Sequence, residues 1–126
     1  MKTINMLVIS TLLMSPMVLS DEMNLYNGTW QVIMITNKGE TRKGTVVFTD
    51  QEGIWDINHM NVKKPCIGRQ APVVIKEASA DVLVFEIFKS KSLLGCGDYT
   101  ATLKPVNDTT LKGELDNGRQ LTLIRK

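Results

Sequence analysis

Residues able to do chemistry are few in this chain, and their spacing argues against catalysis. His59 is the only histidine and stands beside Met60 and Asn61 at the start of a long connection. As a general base or metal ligand it needs a carboxylate or nucleophile that only the fold can bring to it. Asp56 and Glu86 alternate with apolar neighbours, which places both on an outer, solvated face. No phosphate loop, nucleophile elbow or metal-ligand spacing is present. The chain therefore reads as a non-enzyme without metal or cofactor, and His59 is kept only as a candidate binding residue.

Cys66 and Cys96 are the two cysteines. In an exported chain such a pair reads as a disulfide. It would close a loop of about 31 residues, worth roughly 3.5 kcal/mol by loop-closure entropy. A two-thiol metal site lacks the histidine partners it would need.

Export is read from the first twenty residues. Lys2 gives the positive start, Ile4 to Met14 the apolar run, Pro16 its break, and Val18-Leu19-Ser20 the cleavage region before Asp21. That is the pattern of a secretory signal peptide over 1–20, too short and wrongly flanked for a membrane span. No cysteine follows the run to carry a lipid. The expected location is the periplasm or the extracellular space, with the short leader leaning towards a bacterial origin. Residues 21–126 are then long enough for one domain with one core. With Lys2 removed, acidic and basic residues nearly balance, so nothing in the charge points to nucleic acid.

The elements that must position these residues are short strands. Turn residues recur every eight to twelve positions, as in an all-β sandwich or barrel. Trp30, Val32 and Met34 share one face of the first run, and Val46 and Phe48 that of the second, over 43–50. Further runs cover 54–58, 72–78, 82–89, 99–106, 110–115 and 120–125, and Asp116-Asn117-Gly118 is the strongest hairpin signal. No window shows a helical period. The expectation is an all-β, about eight-stranded antiparallel up-and-down β-barrel with one disulfide, since eight strands close a meander and remove its edges.

A closed meander makes a topological demand. Alternate connections must lie at the same end, and Cys66 in connection 3–4 and Cys96 in connection 5–6 satisfy it. The same parity puts Trp30 and Arg125 side by side at the opposite, short-turn end, where the first strand begins and the last finishes. A guanidinium can lie flat on an indole there, through cation–π attraction and its donor fork.

The stretch LYNGTW (Leu25 to Trp30), the terminal GRQLTLIRK and the strand count between them resemble the calycin group: lipocalins, avidins and the periplasmic metalloprotease inhibitors of bacteria. The resemblance implies a calycin-like barrel in which Gly28, Trp30 and Arg125 are structural. It transfers no binding residues. The biotin-binding loop pattern and interior tryptophans of avidins are missing, and the inhibitors carry an earlier disulfide and a longer N-terminal arm.

Function is sought at the disulfide-tied end. Lys38, Arg42, Lys43, Lys63, Lys64, Arg69, Lys89, Lys91 and Arg119 gather in or beside its connections, whereas Asp50, Glu52, Asp81 and Asp108 mark the other end. A basic mouth can steer an anionic ligand or an acidic partner surface. Leu93 and Leu94 on connection 5–6 either present a contact or fold over the mouth as a lid. The leading expectation is a small exported protein that engages a partner protein through these loops, as inhibitor or accessory factor. Its candidate binding residues are His59, Lys63, Lys64, Arg69, Leu93 and Leu94. The alternative is a lipocalin- or avidin-like carrier of a small anionic or apolar ligand.

Overall fold

The computed structural model describes residues 24–58, 66 and 69–126. Three candidate residues, His59, Lys63 and Lys64, and the signal peptide expected over 1–20 lie outside them. The described residues form eight strands in chain order: β1 (Gly28–Ile35), β2 (Thr41–Thr49), β3 (Glu52–Asn58), β4 (Ala71–Ala78), β5 (Leu83–Phe88), β6 (Asp98–Asn107), β7 (Thr110–Leu115) and β8 (Gln120–Arg125). They close in that order into an antiparallel barrel. β1 seals the seam with β8 from Trp30↔Arg125 to Ile35↔Gln120. The only helical segment among them is one 3-10 turn, Lys89–Lys91.

Period-two alternation selects these strands and fills the barrel. Trp30, Val32, Met34, Val46, Phe48, Trp55, Leu83, Phe85, Leu103 and Leu123 are all buried inward. Phe85 sits at the centre of an aromatic group, edge-on to Phe48 at 5.2 Å and 6.2 Å from Trp55. Curvature comes from close strand approach. A Cβ at Gly44 would lie 2.1 Å from the Asp56 carbonyl oxygen, and one at Gly113 would lie 1.9 Å from that of Thr102. Only glycine lets the strands approach so closely there. Register shifts between Ile75 and Glu77 and between Pro105 and Asn107 add further twist.

The short-turn end is plugged by the N-terminal turn. The Arg125 guanidinium stands 4.2 Å from the Trp30 ring centroid. Its Nη1 donates to the Asn27 carbonyl (2.8 Å) and its Nη2 to that of Leu25 (3.1 Å). The Trp30 indole donates to the Tyr26 carbonyl (2.9 Å), and the Tyr26 hydroxyl donates to that of Ser79 (2.5 Å). Gly28 makes the turn at φ 126°, and a side chain there would be strained and would press on Arg125 Nη1. Among the described residues, no buried side-chain donor at this end is left without a partner. Arg125→Ala removes two charge-assisted hydrogen bonds and the cover of the indole, and is expected to lower stability by about 2 kcal/mol. Arg125→Lys should recover little, because an ammonium has no planar fork; denaturant titration of both variants checks this.

Cys66 and Cys96 form the disulfide, with Cα atoms 5.5 Å apart, and it bridges the β3–β4 and β5–β6 connections at one end as the topology requires. Strand boundaries shift by one or two residues from the sequence reading, β3 starting at Glu52 and β5 covering Leu83–Phe88, and one of these shifts matters at the mouth. β2 begins at Thr41, because the 36–40 turn is closed on both sides. Thr36 N–H donates to the Glu40 carbonyl (2.8 Å), and Glu40 N–H donates to Thr36 Oγ1 (3.1 Å). Arg42 is consequently a strand residue opposite Met34, not part of a solvated loop.

Candidate functional site

Inward parity, followed to the strand ends, leads to three cations at the disulfide-tied end. Arg42 shares the face of Val46 and Phe48. Lys89 follows Leu83, Phe85 and Ile87, and Arg119 precedes Leu121 and Leu123. β2 thus delivers Arg42 to the mouth by the alternation that packs its core, while Lys89 opens the 3-10 turn after β5 and Arg119 ends the turn before β8.

Arg42 is 7 % exposed, and its Nε and Nη1 are buried without a hydrogen-bond partner. Its Nη2 has only Glu40, at 3.9 Å, whose own side chain is 59 % exposed and solvated. Such a pair is worth little. Arg119 Nε is likewise buried without a partner. Lys89 Nζ lies 5.5 Å from the Tyr99 ring centroid and ion-pairs with no carboxylate among the described residues. Burial, then the positive charges of Arg119 and Arg42, push the Lys89 amine below the ordinary lysine range.

Among the described residues, no carboxylate of this end pairs with the three cations beyond the long Arg42–Glu40 contact. Asp98 accepts from Ser90 N–H and Oγ, both at 2.9 Å. The backbone bond first, then the hydroxyl, hold it below the usual carboxylate range. Asp116 and Glu40 are exposed. Segment 59–65 (His-Met-Asn-Val-Lys-Lys-Pro) contains no acidic residue at all. Unpaired buried donors cost about 1–3 kcal/mol each, and like charges add to that. An anion with several acceptor oxygens would satisfy these donors and offset the like charges together.

The other candidates are more scattered. Arg69 is exposed, Leu93 is half-buried, and Leu94 is 94 % exposed on the loop that carries Cys96. Leu94 therefore does not close over the mouth as a lid. Asp56 and Glu86 are outward, as their alternation implies. Asp56 accepts from Gln70 at 3.3 Å, and Glu86 ion-pairs with Lys76 at 3.4 Å. Among the described residues no group of three metal-ligating side chains comes together, and no helix is long and apolar enough to cross a membrane. A shallow groove on the outer wall, lined by Gln31, Lys43, Thr45, Asp56 and Lys126, mixes both charges. None of its side chains has a buried unpaired donor.

No protein-family model matches the chain, and no curated protein matches it in sequence. Solved structures do. A de novo designed fluorescence-activating β-barrel superposes with a TM-score of 0.53 at 19 % identity, over 84 % of this chain and 98 % of the other. A redesigned β-barrel gives 0.52 at 20 % identity, over 83 % and 95 %. At such identity the likeness shows the small closed barrel and nothing finer. The calycin resemblance of the two chain ends stays a resemblance of sequence.

Proposed function

We propose that this is a small exported binding protein, not an enzyme, which holds an anionic small molecule at the disulfide-tied mouth of its barrel. The observation that carries the reading is the convergence of Arg42, Lys89 and Arg119, with buried donors on both arginines that no described acceptor meets. Export is supported by the leader-like first twenty residues and is compatible with the Cys66–Cys96 disulfide. The anion reading takes the ligand-carrier alternative over engagement of a partner protein. An inhibitor or accessory role still has one supporting feature, the fully presented Leu94 on a rigidified loop.

Calorimetric titration of the purified protein separates the two. The probes are 5-phenylpentanoate, 5-phenylpentylamine and inorganic phosphate. The carboxylate should bind and the amine should not, and Arg42→Gln combined with Arg119→Gln should weaken the carboxylate at least about tenfold. Affinity should hold through neutral pH. It should then fall in the alkaline range below the ordinary lysine value of 10.5, as Lys89 loses its proton early. Equal binding of acid and amine, or an unchanged double variant, would falsify the anion reading. Absence of anion binding together with Leu94-dependent capture of an exported protein would establish the rim contact instead.

A further inference from the structure

Four buried side-chain atoms have no hydrogen-bond partner among the described residues: Arg42 Nε and Nη1, Arg119 Nε and Trp55 Nε1. All four are donors. The fourth is set apart by its place in an otherwise apolar core. Trp55 is 1 % exposed, packs against Phe85 and belongs to the inward face of β3. The other tryptophan, Trp30, is equally buried yet bonds a carbonyl four residues before it. A buried indole N–H ordinarily finds such a partner.

Register connects Trp55 to the cation cluster. It stands opposite Ala71, the first residue of β4. The β4–β5 ladder reaches this end at Val73↔Ile87, and Lys89 opens the 3-10 turn directly after β5, at the same end of the barrel as Ala71. Trp55, paired with the first residue of β4, and Lys89, just past the last residue of β5, therefore both belong to the part of the barrel nearest the disulfide-tied end. The wall above Trp55 on its own strand is Ile57, and Met34 and Ile87 continue the apolar surface up to the cations.

We infer that the ligand of this mouth is an oxyanion with an apolar body carrying a second hydrogen-bond acceptor, and that Trp55 Nε1 donates to that acceptor. The inference rests on the anion reading and names the ligand's chemistry: one charged group for Arg42, Arg119 and Lys89, and one neutral acceptor several bonds away for the indole. A site that offers only donors discriminates strongly against ligands lacking the matching acceptor, because the indole is then left unpaired.

The test uses two matched acid pairs differing only by a ketone: 5-oxo-5-phenylpentanoate against 5-phenylpentanoate, and 4-oxo-4-phenylbutanoate against 4-phenylbutanoate. In the unaltered protein at least one ketone acid should bind about fivefold more tightly than its parent. In Trp55→Phe that ratio should fall to about one, while the parent acid still depends on Arg42. Packing losses in the variant cancel in the ratio. If the variant does not fold, the indole N–H resonances of the unaltered protein decide. The Trp55 signal should shift with the ketone acid and not with the parent, and the Trp30 signal should stay still.

Binding of both acids with equal affinity and an unmoved Trp55 signal overturns the inference and leaves the anion reading standing, as would be the case were the indole served by water. A ketone preference that persists in Trp55→Phe also overturns it. Failure of every carboxylate to bind overturns both.

Discussion

Arg42→Met is expected to make the ligand-free protein more stable, by about 1–3 kcal/mol, and to cost it most of its anion affinity. Methionine keeps the packing of the aliphatic stem beside Met34 and removes two buried donors that have no acceptor. It also relieves Lys89 and Arg119 of a neighbouring positive charge. Replacing buried charges by apolar groups of similar volume is often stabilising for this reason, more so where the charge is unpaired.

Lys89→Met should act in the same direction, and pH supplies an independent check. Lys89 has a lowered affinity for its proton in the folded state, so between its folded value and 10.5 the unfolded chain binds more protons. Stability of the unaltered protein should therefore climb as pH rises through that window, and the climb should vanish in Lys89→Met. Denaturant midpoints without ligand and with excess 5-phenylpentanoate measure both effects. The ligand should stabilise the unaltered protein by mass action and leave Arg42→Met nearly unmoved. A clear loss of stability in ligand-free Arg42→Met would show that the guanidinium is structural.

The barrel itself was written in local pattern. Alternation at Trp30, Val32 and Met34, the Asn117-Gly118 turn and the positions of the two cysteines constrain an eight-stranded meander with few other solutions. The same alternation predicts the inward face of Arg125, and its partner is legible because Trp30 opens the strand that must lie beside it. Arg42 illustrates what pattern alone misses. A basic residue one step from a turn has the composition of a solvated loop, and only the hydrogen bonds of the 36–40 turn extend the strand past it. Lys89 carries the parity signal as the last residue of its sequence run and falls just past β5 in the structure, and Arg119 carries it one step before β8, where alternation is usually no longer trusted. Trp55 is harder still. Sequence gives its inward face, but whether an indole N–H meets a carbonyl depends on backbone brought in from elsewhere. Trp30 has the N-terminal turn folded back on it; Trp55 has nothing equivalent.

Reduction of the disulfide, or Cys66→Ser with Cys96→Ser, is expected to remove about 3.5 kcal/mol of stability and, separately, to weaken anion binding by an order of magnitude in the fraction that stays folded. The second effect follows from where the barrel is least well laced. The β1–β2 ladder runs the whole length of β1, but the β3–β4 ladder ends at Trp55↔Ala71, so Ile57 and Asn58 have no β4 partner. That gap opens towards the mouth, next to Trp55 and Ala71. Among the described residues this region is spanned by the covalent tie from Cys66 to Cys96, the hydrogen bond that Ser92 Oγ donates to the Gln70 carbonyl, and the one that Gln70 Nε2 donates to Asp56. With the bridge gone, the β3–β4 connection loses its covalent hold over the 3-10 turn that carries Lys89. The cations can then spread apart under their own repulsion, and an anion must gather them again at a cost in affinity. Arg125→Ala provides the control. It should lower stability from the opposite end while leaving the ligand's affinity where it was. Titration with 5-phenylpentanoate, with and without reductant and at a temperature where both forms are folded, measures the difference. Equal affinity in the two forms would mean that the strands alone hold the mouth.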